Sequence, residues 1–458
     1  MNKTEKTYYF IGIGGIGMSA LALYFHKTGY KVAGYDKTES KITKQLDDSG
    51  INVNFNENIS AIPELFKNSN NTIVIYTPAI PSNHEQLQYF INNKFKVFKR
   101  SEVLSEIANQ MRSIAIAGTH GKTSITSLTA WLLNQNELET NAFMGGISNN
   151  FNSNLVIQPN ANTVVLEADE YDRSFLRLNP DIALISFIDA DHLDIYGSAK
   201  SMQNAYSEFL AKIKPNGIAV IKLDTASQLT IPKNINLYTY SRNNVSADFY
   251  ADNINISKNK THFDLVFKGE RIENLSMSFA GNHHIENAVA ASALALLAGA
   301  NKNHIKQGLK DFKGVKRRFE YIVNQPDIVY IDDYAHHPNE IEASLNALRS
   351  LYPNKKITGI FQPHLYTRTR DFSNEFVQAL SKFDEIILLD IYPARELPIE
   401  GVNSEMLLQK ITNKNKKLCT KENLIDYIQN YVNTDVLISM GAGDIDRLVE
   451  PIKNILEK

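Results

Sequence analysis

Short apolar runs alternate with amphipathic segments along most of the chain, in the rhythm of strand–helix–strand units on mostly parallel sheets. Over roughly residues 1–108 the runs YYFIGIG, KVAGYD and NTIVIYTPA predict strands, with helical patterns between and after them. A second series begins at SIAIAG (113–118) and continues through TVVLEAD, DIALISFID and GIAVIK. From about 247 to 280 polar and apolar positions alternate with no helical period, which predicts an antiparallel β insertion. Residues 281–300 return to a helical, alanine-rich pattern that reads as core. A third series starts near 319 and runs DIVYIDDYAHHP, a helix near 340–350, KKITGIFQPH, EIILLDIYPA and DVLISMGAG before a last helix. No low-complexity linker and no short repeat interrupts these series. The prediction is an α/β chain of three domains, 1–108, 109–318 and 319–458, each on a mostly parallel sheet with flanking helices.

Length agrees, since 458 residues suffice for two or three domains with cores of their own. The 48 Lys and Arg against 50 Asp and Glu leave a net charge of −2. Nucleic acid or an anionic membrane surface calls for a basic surplus, so neither is expected as the main partner. The lone cysteine, Cys419, excludes an internal disulfide and a cysteine zinc site. The first residues carry no basic leader with a cleavage site, and glycines break the apolar run early. A cytoplasmic protein without membrane insertion is expected.

Candidate chemistry sits at strand ends. Gly12, Gly14 and Gly17 form G-x-G-x-x-G after a strand and at a helix start, where backbone N–H groups hold a diphosphate. Asp36 closes the next strand, where a ribose hydroxyl is expected. The N-terminal domain is therefore Rossmann-like, and the fingerprint leaves NAD, FAD and nucleotide-sugars open as ligands. AGTHGKTS (117–124) also follows a strand and opens a helix. Gly121, Lys122 and Thr123 fit the end of a phosphate loop, Lys for β/γ-phosphates and Thr for Mg²⁺. Its first glycine is expected at 116, which is Ile, with Gly118 nearer, so the loop is a shortened one. LEADEYD (166–172) places Glu167, Asp169, Glu170 and Asp172 at one strand end, and IDADHLD (188–194) places His192 among aspartates at the next. Hard oxygens there suit Mg²⁺ on ATP phosphates, while each segment alone also reads as a solvated acidic turn. DDYAHHP (332–338) and QPHLYTRTR (362–370) gather Asp332, Asp333, His336, His337, His364, Arg368 and Arg370, and arginine forks can clamp carboxylate or phosphate. Asn282, His283 and Asn287 open the alanine-rich helix, as caps or as adenine contacts. Trp131 reads as core.

Taken together, GIGGIGMSALA, AGTHGKTS, EADEYD, DADHLDIY, GNHHIENAVAA, DDYAHHPNE and QPHLYTRTRDF resemble the Mur ligase family, in order and with compatible spacing from about residue 8 to about 446. The resemblance implies a UDP-sugar domain, a P-loop-type ATP domain with the β insertion, and a Rossmann-like amino-acid domain. It implies that Gly12, Gly14, Gly15, Gly17 and Asp36 hold the UDP-sugar, and that Gly118, Thr119, His120, Gly121, Lys122, Thr123 and Ser124 bind ATP. Asn282, His283, Asn287 and Arg318 complete that ATP set by resemblance. Thr123, Glu167 and His192 are implied around Mg²⁺, and Tyr334, His336, His364 and Arg368 around the amino acid. Lys122, His192, His336 and Arg368 are the implied catalytic set.

The segment DDYAHHPNE points to the member joining L-alanine to the lactyl carboxylate of UDP-N-acetylmuramate through an acyl phosphate, with ADP and phosphate as products. EADEYD is also the form of a murein-peptide recycling ligase, the alternative within the family. A nicotinamide-dependent dehydrogenase is the rival from another class, but it has no use for the second phosphate loop. A monomer or weak homodimer is expected.

Overall fold

The computed structural model describes residues 6–135, 138–189, 193–257, 260–279, 281–394, 396–431 and 433–457. Among them three sheets form, mostly of parallel strands with helices packed on their faces. The first sheet contains β1 (Thr7–Ile11), β2 (Lys31–Tyr35), β3 (Asn52–Asn54), β4 (Thr72–Tyr76) and β5 (Lys96–Lys99). Their order is β3-β2-β1-β4-β5, all parallel. The chain leaves β1 toward β2 and later returns to β1's other side with β4, so the glycine loop after β1 lies at the switch point.

The second sheet comprises β6 (Arg112–Ala117), β7 (Thr140–Ser148), β8 (Ser153–Val156), β9 (Thr163–Glu167), β10 (Ile182–Ile185) and β11 (Ile218–Lys222). It continues with β12 (Asn236–Ser241), β13 (Phe249–Ser257), β14 (Lys260–Phe267) and β15 (Glu270–Met277). The order β15-β14-β13-β12-β11-β10-β6-β9-β7-β8 puts β6 between β9 and β10, parallel to both. Both acidic segments therefore leave the sheet on either side of the phosphate loop. The expected β insertion is β13 to β15. Lys268 and Gly269, both at positive φ, join β14 to β15 in the two-residue turn of an antiparallel hairpin.

The third sheet contains β16 (Glu320–Asn324), β17 (Val329–Asp333), β18 (Ile357–Phe361), β19 (Glu385–Leu388), β20 (Lys416–Leu418) and β21 (Val436–Met440). Its order is β16-β17-β21-β18-β19-β20, with only the edge pair β16–β17 antiparallel. The segments after β17 and β18 thus flank the end of β21.

By compactness the chain parts into two units. One comprises 1–253, 263–276 and 286–313, the other 254–262, 277–285 and 314–458. The first unit carries two sheets because they share a core. Phe10, Leu21 and Phe25 pack in one cluster with Phe143, Leu155 and Leu166, each side chain worth about 1.5–3 kcal/mol on burial. Asn154 Nδ2 reinforces the seam by donating to the Ile16 carbonyl at 2.6 Å and to Ser19 Oγ at 3.0 Å. In the second unit Ile331, Ile357, Phe361, Phe376 and Ile438 centre one face of the sheet, and Tyr330, Ile387, Leu424 and Leu437 the other. Among the described residues no helix is long and apolar enough to cross a membrane.

Candidate active site

The first glycine loop turns from β1 into the helix Ile16–Lys27. Gly14 N–H donates to Asp36 Oδ2 at 2.7 Å, so the carboxylate that follows β2, expected from the sequence at a ribose hydroxyl, closes on the loop itself. Thr38 N–H donates to the other carboxylate oxygen at 3.2 Å. Gly15 is the helix N-cap and contributes no side-chain bond, and no acidic residue occupies the first turn. The helix N-terminus therefore presents positive potential to an anion.

The second loop is tighter. Gly118 stands at φ +122, and a Cβ there would fall 2.1 Å from Ser186 Oγ. The Ser186 hydroxyl hydrogen-bonds the His120 carbonyl at 2.6 Å, fastening the loop to the continuation of β10. Further along that continuation, Asp189 N–H donates to Thr119 Oγ1 at 3.2 Å, and Asp189 Oδ2 lies 2.8 Å from His120 Nε2. Gly121 caps the helix Lys122–Asn134, with Thr123 buried and Ser124 half-buried in its first turn.

Lys122 Nζ donates to the Gly118 carbonyl and to Glu170 Oε1, both at 2.7 Å. Burial opposes the ammonium charge, but Glu170, Asp169 and Glu167 outweigh it and hold the lysine above its usual range. Burial pushes the Glu170 carboxyl up against the pull of Lys122. Glu170, one of four carboxylates in its segment, is thus the lysine's partner, a role its sequence position did not distinguish. Glu167 ends β9 opposite Ile116, and its Oε1 accepts from Gly145 N–H at 2.6 Å. His192 lies outside the described residues. Among the described residues no three His, Cys, Asp or Glu side chains converge as a metal group. Thr123 and Glu167 supply oxygens of the hard type that Mg²⁺ prefers, and they fit it.

Of the residues opening the helix Asn282–Ala298, Asn287 reaches the phosphate loop. Its Oδ1 would lie 2.7 Å from a Cβ at Gly121. Asn282 is exposed and belongs, with His283, to the second unit. The His283 ring packs 4.0 Å from His284, centroid to centroid, and burial lowers its pKa to about 4. Trp131 donates from Nε1 to the Gly308 carbonyl at 2.9 Å, a packing role.

In the second unit the candidate amino-acid residues gather. Tyr334 and His336 ring centroids lie 5.3 Å apart, and those of His336 and His364 lie 6.1 Å apart. Arg318, implied by resemblance on the ATP side, sits over the Tyr334 ring at 4.7 Å. His336 Nδ1 lies 3.0 Å from the Tyr334 carbonyl and 3.2 Å from Glu340 Oε2, both acceptors. The ring proton therefore belongs on Nδ1, leaving the lone pair on Nε2. Burial lowers the His336 pKa to about 4, with Glu340 opposing and Arg368 assisting, so the ring is neutral at pH 7.

Other members of the cluster are structural. Asp332 accepts from Arg317 Nε at 3.0 Å and Ser439 Oγ at 2.6 Å. Asp333 is pushed to about 6 by burial while bonded to Ser344. His337 caps the helix Pro338–Leu351, with Glu340 completing a capping box. Arg370 pairs with Asp371 at 2.7 Å on the surface. Arg100, which lies in none of the sequence motifs, opens the helix Arg100–Asn109 at the end of β5 and reaches Asp169 Oδ2 at 3.3 Å. A basic residue at the carboxyl end of a strand in the sheet that carries the glycine loop is the signal that could have found it.

Comparison with known proteins matches three family models along the chain. They are the Mur ligase family catalytic domain (residues 7–112), the Mur ligase middle domain (116–295) and the Mur ligase glutamate ligase domain (317–443). A UDP-N-acetylmuramate–L-alanine ligase of Porphyromonas gingivalis is 45 % identical over 452 residues, 99 % of both chains. One from Flavobacterium psychrophilum is 47 % identical over 451 residues, 98 % of both. Among solved structures, the UDP-N-acetylmuramate–alanine ligase of Thermotoga maritima superposes with a TM-score of 0.82 at 24 % identity, covering 98 % of this chain and 99 % of that one. A murein peptide ligase of Psychrobacter arcticus gives 0.74 at 21 %, covering 98 % of each.

Proposed function

The chain belongs to the Mur ligase family, and on that premise we propose that it joins L-alanine to the lactyl carboxylate of UDP-N-acetylmuramate. The reaction consumes ATP, yields ADP and phosphate, and serves peptidoglycan precursor synthesis. The observation that carries this reading is the pair of phosphate-type loops, 12–17 and 117–124, each following a strand inside its own parallel sheet. A dehydrogenase needs one such loop, whereas a ligase that energises one nucleotide-borne acid with another nucleotide needs two.

A carboxylate resists attack by an amine, so it first takes the γ-phosphoryl group of ATP to become an acyl phosphate. The alanine nitrogen then adds to the acyl carbon, and phosphate leaves the tetrahedral intermediate. Lys122, with Gly118, Thr119, His120, Gly121, Thr123 and Ser124, holds and neutralises the phosphates, and Asn287 adds a nucleotide contact beside Gly121. Thr123 and Glu167, with His192, would hold Mg²⁺, which would supply charge neutralisation to the phosphates. Tyr334, His364 and Arg368 orient the amino acid, the arginine fork suiting its carboxylate. His336, neutral and with its Nε2 lone pair fixed by the two acceptors at Nδ1, orients the incoming amine as a hydrogen-bond acceptor.

The functional domains are 1–108 for UDP-sugar, 109–318 for ATP and 319–458 for the amino acid. The protein acts in the cytoplasm as a monomer or weak homodimer, without nucleic acid or membrane insertion.

Thermal melting with added ligand tests the first-domain assignment. UDP-N-acetylmuramate at a hundredfold excess over its Kd should add about 2.7 kcal/mol of stability, and NADH at the same concentration should add none. Equal stabilisation by NADH would overturn the reading.

A further inference from the structure

The start of the helix Arg100–Asn109 lies between the first glycine loop and the acidic segment that follows β9. Arg100 Nη2 approaches Asp169 Oδ2 at 3.3 Å, next in sequence to the Glu170 that holds Lys122. On its other side, a Cβ built at Gly17 would come within 2.9 Å of Arg100 Nη1 and 3.1 Å of its Cδ. The third glycine of this fingerprint ordinarily lets the helix approach its strand. Here its missing side chain, in the first turn of the helix Ile16–Lys27, also makes room for a guanidinium.

Two neighbouring ion pairs already brace this seam. Lys99 lies 3.9 Å from Asp172, and Arg177 lies 3.2 Å from Glu102. The arginine of the Arg100–Asp169 pair is more enclosed, 23 % exposed against 41 % for Lys99 and 51 % for Arg177. A single 3.3 Å contact to a carboxylate that is itself 42 % exposed is a weak use of a planar fork. Phosphate oxygens offer the same fork a bidentate, charge-assisted bond.

We infer that Arg100 is a binding residue for the diphosphate of the sugar nucleotide. Asp169 holds the guanidinium over Gly17 until the ligand seats, and the fork then passes to the phosphate oxygens. This inference rests on the reading of residues 12–17 as the sugar-nucleotide loop.

Calorimetric titration of the full chain with UDP, and separately with UDP-N-acetylmuramate, both without ATP, tests it. Arg100→Ala should weaken both ligands by about ten- to hundredfold, the range of one charge-assisted contact. Asp169→Asn should bind both at least as tightly as the unaltered chain, because it removes the competitor for the guanidinium. If the alanine variant does not fold, Arg100→Gln, which keeps the stem over Gly17 and a donor toward Asp169, carries the same expectation. Unchanged UDP affinity in a folded Arg100 variant would overturn the inference alone. So would a loss confined to UDP-N-acetylmuramate, which would assign Arg100 to the lactyl carboxylate. A loss in Asp169→Asn equal to that in Arg100→Ala would make the pair a brace between sheets. Failure of the unaltered chain to bind either ligand would instead overturn the sugar-nucleotide reading itself.

Discussion

Lys122→Ala is expected to release phosphate at least about a thousandfold more slowly than the unaltered chain while remaining folded. The ammonium lies 2.7 Å from the Gly118 carbonyl, and on the proposed reading it meets the phosphates of ATP from there. Phosphoryl transfer offers the protein little covalent work, so losing the main positive charge removes most of what the loop contributes. Stability complicates the single variant. It leaves Glu170, 1 % exposed, without the ammonium that now faces it, and breaking a buried pair costs about 3–5 kcal/mol when the remaining charge stays ionised. Burial already favours protonation of Glu170, which reduces that cost. Lys122→Ala combined with Glu170→Gln removes the stranded charge and should recover the melting temperature without recovering turnover. Phosphate release and thermal melting on the same samples separate the two effects. Release at the unaltered rate from either folded variant would remove Lys122 from the chemistry.

Gly118→Ala is expected to be nearly as severe, lowering turnover and ATP affinity by about a hundredfold or more, since small displacements of positioning groups cost on that order. Two causes act at one atom. At φ +122 an L-side chain is strained, and the new Cβ would meet Ser186 Oγ at 2.1 Å, Ser186 N at 2.9 Å and Phe187 N at 3.0 Å. Two of those three atoms are backbone, so the loop itself must move. Its displacement shifts the Gly118 carbonyl that orients Lys122. Adding Ser186→Ala removes the hydroxyl clash but neither the backbone contacts nor the strain, so the double variant should stay impaired. ATP titration by calorimetry reads this directly. An unchanged ATP affinity in Gly118→Ala would mean that the loop does not hold the nucleotide.

The strands legible in the sequence are those with a continuous apolar run, and the clearest are two that meet a glycine. β1 and β6 are buried through nearly their whole length, which makes them continuous apolar segments, and each is followed by a glycine turn. The short strands β3, β5 and β20 read NVN, KVFK and KKL, with exposed or half-buried positions throughout, so they offered no apolar run to detect. β7 was hidden differently, because the two glycines in TNAFMGGIS argue against a strand interior. Within the site, the glycine turns after β1 and β6 follow from local spacing, whereas the bond from Gly14 to Asp36 was not among the sequence's expectations. The Lys122–Glu170 and Arg100–Asp169 pairs span 48 and 69 positions, and sheet order, with β9 beside β6, makes the first of them possible. Histidine clustering at strand ends misled in part. His337 is followed by Pro338 and, three positions on, Glu340, the signature of a helix cap, and it serves as one.

On the proposed function, two nucleotides and one amino acid take part in a single condensation. Phosphate release from ATP and Mg²⁺, measured with each of the other two substrates alone and with both together, tests it most directly. Sustained release is expected only when UDP-N-acetylmuramate and L-alanine are both present, with one phosphate formed per L-alanine joined. Release that is independent of the sugar nucleotide, or that proceeds with a murein peptide and not with L-alanine, would contradict it.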